Sequence, residues 1–367
     1  MKIGLIKEIK KEEYRVGLTP ASASEYVKNG HTVYVEKSAG NGSGFSDDDY
    51  KKAGCMLEAN KKKIFDTCEM IIKVKEPLEE EYDLFHEDQL LYTYLHLAAN
   101  KPLTLFLVKN KIASIAYETV MEEDGTLPLL KPMSEIAGRL SIQEGAKYLE
   151  KPFGGRGVLL GGVPGIRRGK VTILGGGVVG MNACKIAVGL GAEVTILDVS
   201  TKRLTYLDDI FGSSITTLYS NDTNIEQCLQ EADLVIGAIL IPGAAAKKLV
   251  RREHLKTMKK GAVIVDVAVD QGGCCETTVA TYHSNPTFIV DDVVHYCVAN
   301  MPGVVALSST YALTSVTNRF GLEIANKGLK AATQQSNALR SGVNTYNGTL
   351  TNKPVALAHG IEYTPLP

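Results

Sequence analysis

The chain has 367 residues, room for two domains at about 150 residues each. Lys and Arg number 40 against 41 Asp and Glu, a formal charge of -1, which excludes a chain built to coat nucleic acid or an anionic membrane. Apolar residues make up 44% and charged residues 22%, so large cores are available and a disordered chain is excluded.

Lys2–Ile6 predicts a first strand. Charge interrupts it after three apolar positions, unlike a signal-peptide core, and no later run approaches the ~18–20 apolar residues of a membrane span. A cytoplasmic protein with no membrane and no nucleic-acid partner is expected. Thr19-Pro20 reads as an N-cap and first helical residue, with the helix ending at Gly30. His31–Glu36 predicts a strand and Ser46–Ala53 a helix opened by three aspartates. Met70–Val74, Leu90–Leu95 and Ile112–Tyr117 predict strands, with a helix at Leu103–Lys109. This alternation argues a largely parallel α/β sheet.

A long helix is expected over Ser134–Leu149, then an irregular glycine-dense stretch from Phe153 to Gly165. That stretch is not a phosphate loop of the P-loop kind, because Gly169-Lys170 is followed by Val171 and Pro164 stands where the first glycine belongs. Strands follow at Val171–Leu174, Glu193–Leu197, Ile215–Leu218, Asp233–Ile239 and Ala262–Val269, then a helix at Ser309–Lys327 and a polar tail over Asn347–Pro367. The layout is α/β with two doubly wound domains: residues 130–305 form a Rossmann domain inserted into a discontinuous substrate domain of residues 1–129 and 306–367. The seven cysteines are scattered and no Cys/His cluster has metal spacing, so reduced thiols are expected, with no disulfide framework and no metal.

The sharpest local signal is Val171-Thr172-Ile173-Leu174-Gly175-Gly176-Gly177-Val178-Val179-Gly180, a buried strand feeding G-x-G-x-x-G into a helix. Gly175 permits the turn, Gly177 lets backbone approach a pyrophosphate, and Gly180 lets helix and strand pack closely. The helix N-terminus offers N–H donors to phosphate. Asp198 ends the next strand, 18 residues beyond Gly180, where an acid accepts from the ribose hydroxyls and disfavours a 2′-phosphate. NAD is therefore expected, although Lys202 and Arg203 nearby offset part of that repulsion. The bland alternative is a glycine-rich turn beside an ordinary strand-end aspartate.

Further motifs run along nearly the whole chain: Glu12-Glu13-Tyr14-Arg15-Val16-Gly17-Leu18-Thr19-Pro20, Lys73-Val74-Lys75-Glu76-Pro77, Tyr92-Thr93-Tyr94-Leu95-His96-Leu97-Ala98, Pro132-Met133-Ser134-Glu135-Ile136-Ala137-Gly138, Val263–Gly273 and Asn300-Met301-Pro302-Gly303. In this order they resemble the alanine dehydrogenase family. The resemblance implies NAD-linked interconversion of L-alanine with pyruvate and ammonium, a homohexamer, and an active site in the cleft between domains. It implies substrate carboxylate binding by Arg15 and Lys75, proton transfer by His96, and Asp270 facing the nicotinamide. It also implies cofactor contacts from Ser134, Gly175, Gly177, Val178, Val179, Gly180, Asp198, Arg203, Ser220, Ile239, Leu240, Val267, Asn300 and Met301.

The residue types suit these roles. A guanidinium takes a carboxylate bidentately, and an imidazole with a pKa near 6.5 shuttles protons near neutrality. Each has a plainer alternative: a solvated loop arginine, a strand-end lysine pointing to water, a structural histidine. Leu130, Met133 and Tyr94 are candidates for the wall that selects a methyl side chain. Val304-Val305-Ala306-Leu307 departs from the family pattern, which puts local loop contacts in question. Two rival functions are a hydride-transfer component of a proton-pumping transhydrogenase, which resembles this family in fold, and a non-catalytic NAD-binding protein.

Overall fold

A computed structural model describes residues 1–239 and 246–367. The chain divides into two compact units, Met1–Met133 with Gly303–Pro367, and Ser134–Pro302. Its strands come in order as β1 (Lys2–Leu5), β2 (Thr32–Glu36), β3 (Met56–Glu58), β4 (Met70–Ile72), β5 (Leu90–Thr93) and β6 (Ala113–Ala116) in the first unit. The second unit follows with β7 (Lys170–Leu174), β8 (Glu193–Asp198), β9 (Ile215–Tyr219), β10 (Leu234–Gly237), β11 (Val263–Asp266), β12 (Thr287–Val290) and β13 (Val293–Tyr296). The return to the first unit adds β14 (Val343–Tyr346) and β15 (Thr349–Leu350).

Both units wind the same way. Among the described residues the first sheet runs β15-β14-β6-β5-β4-β1-β2-β3 and the second β12-β13-β11-β10-β7-β8-β9. In each, the unit's opening strand is flanked by its second strand on one side and its fourth on the other, so the direction of winding reverses there. That is the doubly wound α/β order, and ligands bind beyond the carboxyl ends of the strands at the reversal. The parallel strands are covered on both faces, which is why β4 and the first three residues of β11 read as unbroken apolar runs and are buried throughout. Local signals agree: the Thr19 hydroxyl accepts from the Ser22 amide at the start of the helix Pro20–Lys28, and Ser46 with Asp49 forms a capping box on Asp47–Lys52.

Two sequence expectations are corrected. The strand expected over Ala262–Val269 ends at Asp266, and Val267–Gln271 form a 3-10 turn instead. The Asp266 carboxylate stops the strand by accepting from the Ala268, Cys274 and Cys275 amides at 3.1, 2.9 and 3.2 Å, and from the Thr278 hydroxyl. The expected polar tail is also structured: its β15 pairs antiparallel with β14, which itself pairs antiparallel with β6, and a helix spans Lys353–His359. Its polar residues are paired internally: the Thr351 hydroxyl donates to the Val343 carbonyl at 2.9 Å, and the Asn352 side chain accepts from the Val355 amide at 3.2 Å. No helix among the described residues is long and apolar enough to cross a membrane.

Candidate active site

In the first unit the winding reverses beside β1, and the segments leaving the neighbouring strands β1, β4 and β5 carry Arg15, Lys75 and His96 respectively. All three therefore follow the carboxyl ends of adjacent strands, the edge where this sheet type binds ligands. Arg15 is no solvated loop residue. It is 2% exposed, and its Nε and Nη2 donate to the two carboxylate oxygens of Glu13 at 2.7 and 2.6 Å. Its Nη1 lies 3.1 Å from the Met133 sulfur, so one candidate for the methyl-selecting wall sits against the candidate carboxylate binder. Burial opposes the Arg15 charge, but the Glu13 carboxylate outweighs it and raises the guanidinium pKa.

Lys75 is buried, and Glu8 shapes its approach. Glu8 Oε1 accepts from the Val74 amide at 2.6 Å and the Lys75 amide at 3.3 Å, while Oε2 pairs with Lys73 Nζ at 3.3 Å. Lys73 is fully buried and also reaches Glu81 at 3.0 Å. Glu76 follows Lys75 and pairs with Lys10 through one oxygen; its other oxygen is buried without a hydrogen-bond partner among the described residues. Burial opposes the Glu76 charge, but Lys10 and Lys75, with His96 adding a little, hold the carboxyl below its ordinary value.

His96 stands one residue past the expected end of its strand and three past the observed end at Thr93, exposed, with a left-handed backbone at φ 51° and ψ 38°. Its ring lies nearly parallel to that of Tyr94, at 11° with centroids 6.0 Å apart. Tyr94 is buried and donates to the Leu129 carbonyl at 2.6 Å, and burial pushes its phenol up, so it stays neutral.

In the second unit the glycine turn leaves β7 and opens the helix Val178–Gly189. Gly175 has φ +103°, and a Cβ there would lie 2.7 Å from the Ala238 carbonyl oxygen. A Cβ at Gly180 would fall on the Gly175 carbonyl oxygen. A Cβ at Gly177 would meet nothing within 4 Å, so this side of the turn is open. Gly177 is also the N-cap of a helix that receives no side-chain cap. Open space in front of uncapped helix amides fits a phosphate group.

Asp198 at the end of β8 accepts from the Gly176 amide at 2.7 Å and the Ser200 amide at 2.8 Å. Arg203 donates to the Gly176 carbonyl and, at 3.4 Å, to that of Gly177, so its charge is spent on the turn. Ser220 and Val267 directly follow β9 and β11, Ile239 is the second residue past β10, and Asn300 and Met301 lie a few residues past β13. Leu240 lies outside the described residues. Ser134 stands one helical turn before Gly138, whose close approach to the Val179 carbonyl puts that helix against the glycine turn. Asp270 lies in the 3-10 turn after β11, exposed, because Asp266 has already ended the strand.

Residues 4–137 match the family model "Alanine dehydrogenase/PNT, N-terminal domain" and residues 141–353 match its C-terminal counterpart. The chain belongs to this family. It is 58% identical over 366 residues to an alanine dehydrogenase of Methanococcus maripaludis, covering 100% of this chain and 98% of the relative. Against an alanine dehydrogenase of Geobacillus stearothermophilus it is 55% identical, covering 99% and 98%. A solved L-alanine dehydrogenase superposes with a TM-score of 0.95 at 52% identity, covering 98% of this chain and 99% of that one. A transhydrogenase from Sinorhizobium meliloti superposes at 0.82 with 23% identity, covering 96% and 99%, which shows a common fold.

The acids that arrange these groups carry no signal of that role in the sequence: Glu13 lies inside a motif without standing out from it, and Glu8 and Glu118 lie in no pattern that marks them. No local pattern marks a carboxylate that will accept backbone amides from a different strand. The same applies to the β12–β13 hairpin, although Asp291-Asp292 at its tip, with φ 48° and 62°, is a two-residue turn of the kind acidic and asparagine residues make.

Proposed function

We infer that this chain is an NAD-dependent L-alanine dehydrogenase, converting L-alanine to pyruvate and ammonium and catalysing the reverse reductive amination. The observation that carries this reading is full-length identity of 55–58% to alanine dehydrogenases in a chain that sets Arg15, Lys75 and His96 beyond three adjacent strands. The transhydrogenase likeness, at 23% identity, supports the fold alone.

In the reductive direction the Arg15 guanidinium, kept charged by Glu13, would seat the carboxylate of pyruvate, and Lys75 would polarise the keto oxygen. Glu13 fixes the plane of that guanidinium by accepting from Nε and Nη2, and Nη1 lies 3.1 Å from the Met133 sulfur. His96 would take and return the protons as ammonia adds and water leaves through a carbinolamine. Asp270 would face the positive iminium that results. NADH supplies the hydride when bound, and NAD accepts it in the oxidative direction.

Gly175, Gly177, Val178, Val179 and Gly180 would hold its pyrophosphate at the helix N-terminus, and Asp198 its adenosine ribose. Ser134, Arg203, Ser220, Ile239, Leu240, Val267, Asn300 and Met301 complete the proposed contacts. With Asp198 at the ribose position and Arg203 turned onto the glycine carbonyls, NAD is favoured over NADP. A cytoplasmic location and a homohexameric assembly belong to the same reading.

Mixing the protein with pyruvate, ammonium and NADH and following the reduced-cofactor absorbance tests the activity directly. No consumption of NADH without an added partner protein would count against it. His96→Ala should lose turnover while keeping NADH affinity; equal loss of both would contradict the role given to the imidazole.

A further inference from the structure

His96 is unusual in how it is held. Among the described residues its ring makes no hydrogen bond, and only stacking against Tyr94 fixes its plane. Yet its backbone occupies the left-handed region, which disfavours a residue with a β-carbon and persists only where neighbours impose it. The neighbour that imposes it is Glu118, in the turn directly after β6. Glu118 Oε1 accepts from the His96 amide at 2.6 Å and from the Leu95 amide at 3.2 Å, and Oε2 reaches the Leu95 amide at 3.2 Å.

Two consecutive amides pointing at one acceptor is what a left-handed kink produces, and a charged acceptor makes both bonds strong. Because β6 lies beside β5, the clamp ties the turn after one strand to the turn after its neighbour. Tyr94, two residues before His96, is fixed at its far end by the Leu129 carbonyl, so the ring on which the imidazole stacks is itself anchored.

We propose that Glu118 is a positioning residue for the proposed proton carrier: its carboxylate holds the Leu95–His96 backbone in the left-handed kink that lays the imidazole along the Tyr94 ring. It acts on the reaction only through His96, and so rests on the role given to that residue above.

The test compares Glu118→Ala, Glu118→Asp and Glu118→Gln in the full-length protein. Hydrogen exchange by mass spectrometry over residues 92–100 reads the two amides, and steady-state kinetics reads kcat and the KM for NADH. The alanine variant removes the acceptor, and the aspartate variant falls one methylene short of it. Both should exchange faster at Leu95 and His96 and lose kcat, by up to about 100-fold for a misplaced catalytic group, with the KM for NADH held within about twofold. The glutamine variant keeps a carbonyl for the His96 amide and should recover most of the protection and most of kcat.

Exchange and kcat moving independently, or neither moving in the aspartate variant, overturns the proposal. So does a rise in the KM for NADH that matches the loss of kcat. Should the alanine variant not fold, the aspartate and glutamine variants are judged by the same criterion. If His96→Ala keeps full turnover, the role of His96 fails, while exchange in the Glu118 variants still reports whether the clamp exists.

Discussion

Replacing Lys73 by methionine removes one charge from the driest part of the first unit and keeps the length of the side chain. Lys73 is fully buried, 3.3 Å from Glu8 and 3.0 Å from Glu81. Taking one partner from a buried ion pair costs about 3–5 kcal/mol, because the remaining charge is left without compensation. Glu81 keeps Lys61 at 3.4 Å, but Glu8 keeps only its amide donors. Burial already raises the Glu8 pKa in the intact protein, with Lys73 opposing it and Glu13 adding to it.

Without Lys73 the Glu8 pKa must rise further. A carboxyl whose pKa is higher folded than unfolded gains a proton on folding; it favours the fold below its unfolded pKa and loses that contribution as pH rises through its folded pKa. The stability deficit of Lys73→Met should therefore be small near pH 5 and grow toward about 3–5 kcal/mol by about pH 8. Urea denaturation at several pH values, with the parent alongside, measures it. A deficit that is flat with pH, or below about 1 kcal/mol throughout, would refute this account of Glu8 and Lys73.

Glu13→Gln leaves Arg15 buried with a neutral partner, so the KM for pyruvate should rise by about tenfold or more while NADH affinity holds; steady-state kinetics and fluorescence titration separate the two. Gly180→Ala puts a methyl on the Gly175 carbonyl oxygen and forces the turn open; NADH affinity should drop by about tenfold or more, and an unchanged titration would count against the glycine-turn assignment. Asp198→Asn keeps an acceptor oxygen for the Gly176 amide but removes the charge. The preference for NADH over NADPH, as the ratio of kcat/KM values, should shrink by about tenfold, and a ratio left where it was would separate Asp198 from cofactor choice.

Much of this was legible in the sequence because the signals are local. The strand–glycine–helix run at Val171–Leu190 carries its own turn chemistry, and apolar runs such as Met70-Ile71-Ile72 announce strands covered on both faces. What was not legible depends on contacts between distant segments. Ala262–Val269 reads as one strand, yet it stops at Asp266 because amides from residues 274 and 275 fold back onto that carboxylate. Asn344 and Thr345 carry no strand signal in the sequence, because nothing local indicates that Thr119 and Ser114 await them. The site divides in the same way. Arg15, Lys75 and His96 were visible through their motifs, whereas Glu13, Glu8 and Glu118, which hold them, are joined to them by geometry.

The pairing of β14 with β6 has a consequence for biosynthesis. The ribosome delivers β6 long before β14, with the whole of Ser134–Pro302 emerging in between. The nascent first unit thus exposes an open sheet border, a template for mispairing, throughout that interval. The inserted unit is contiguous and can mature meanwhile. Chains truncated before Val343 should be left with that border bare and be aggregation-prone, however well their Rossmann half has folded.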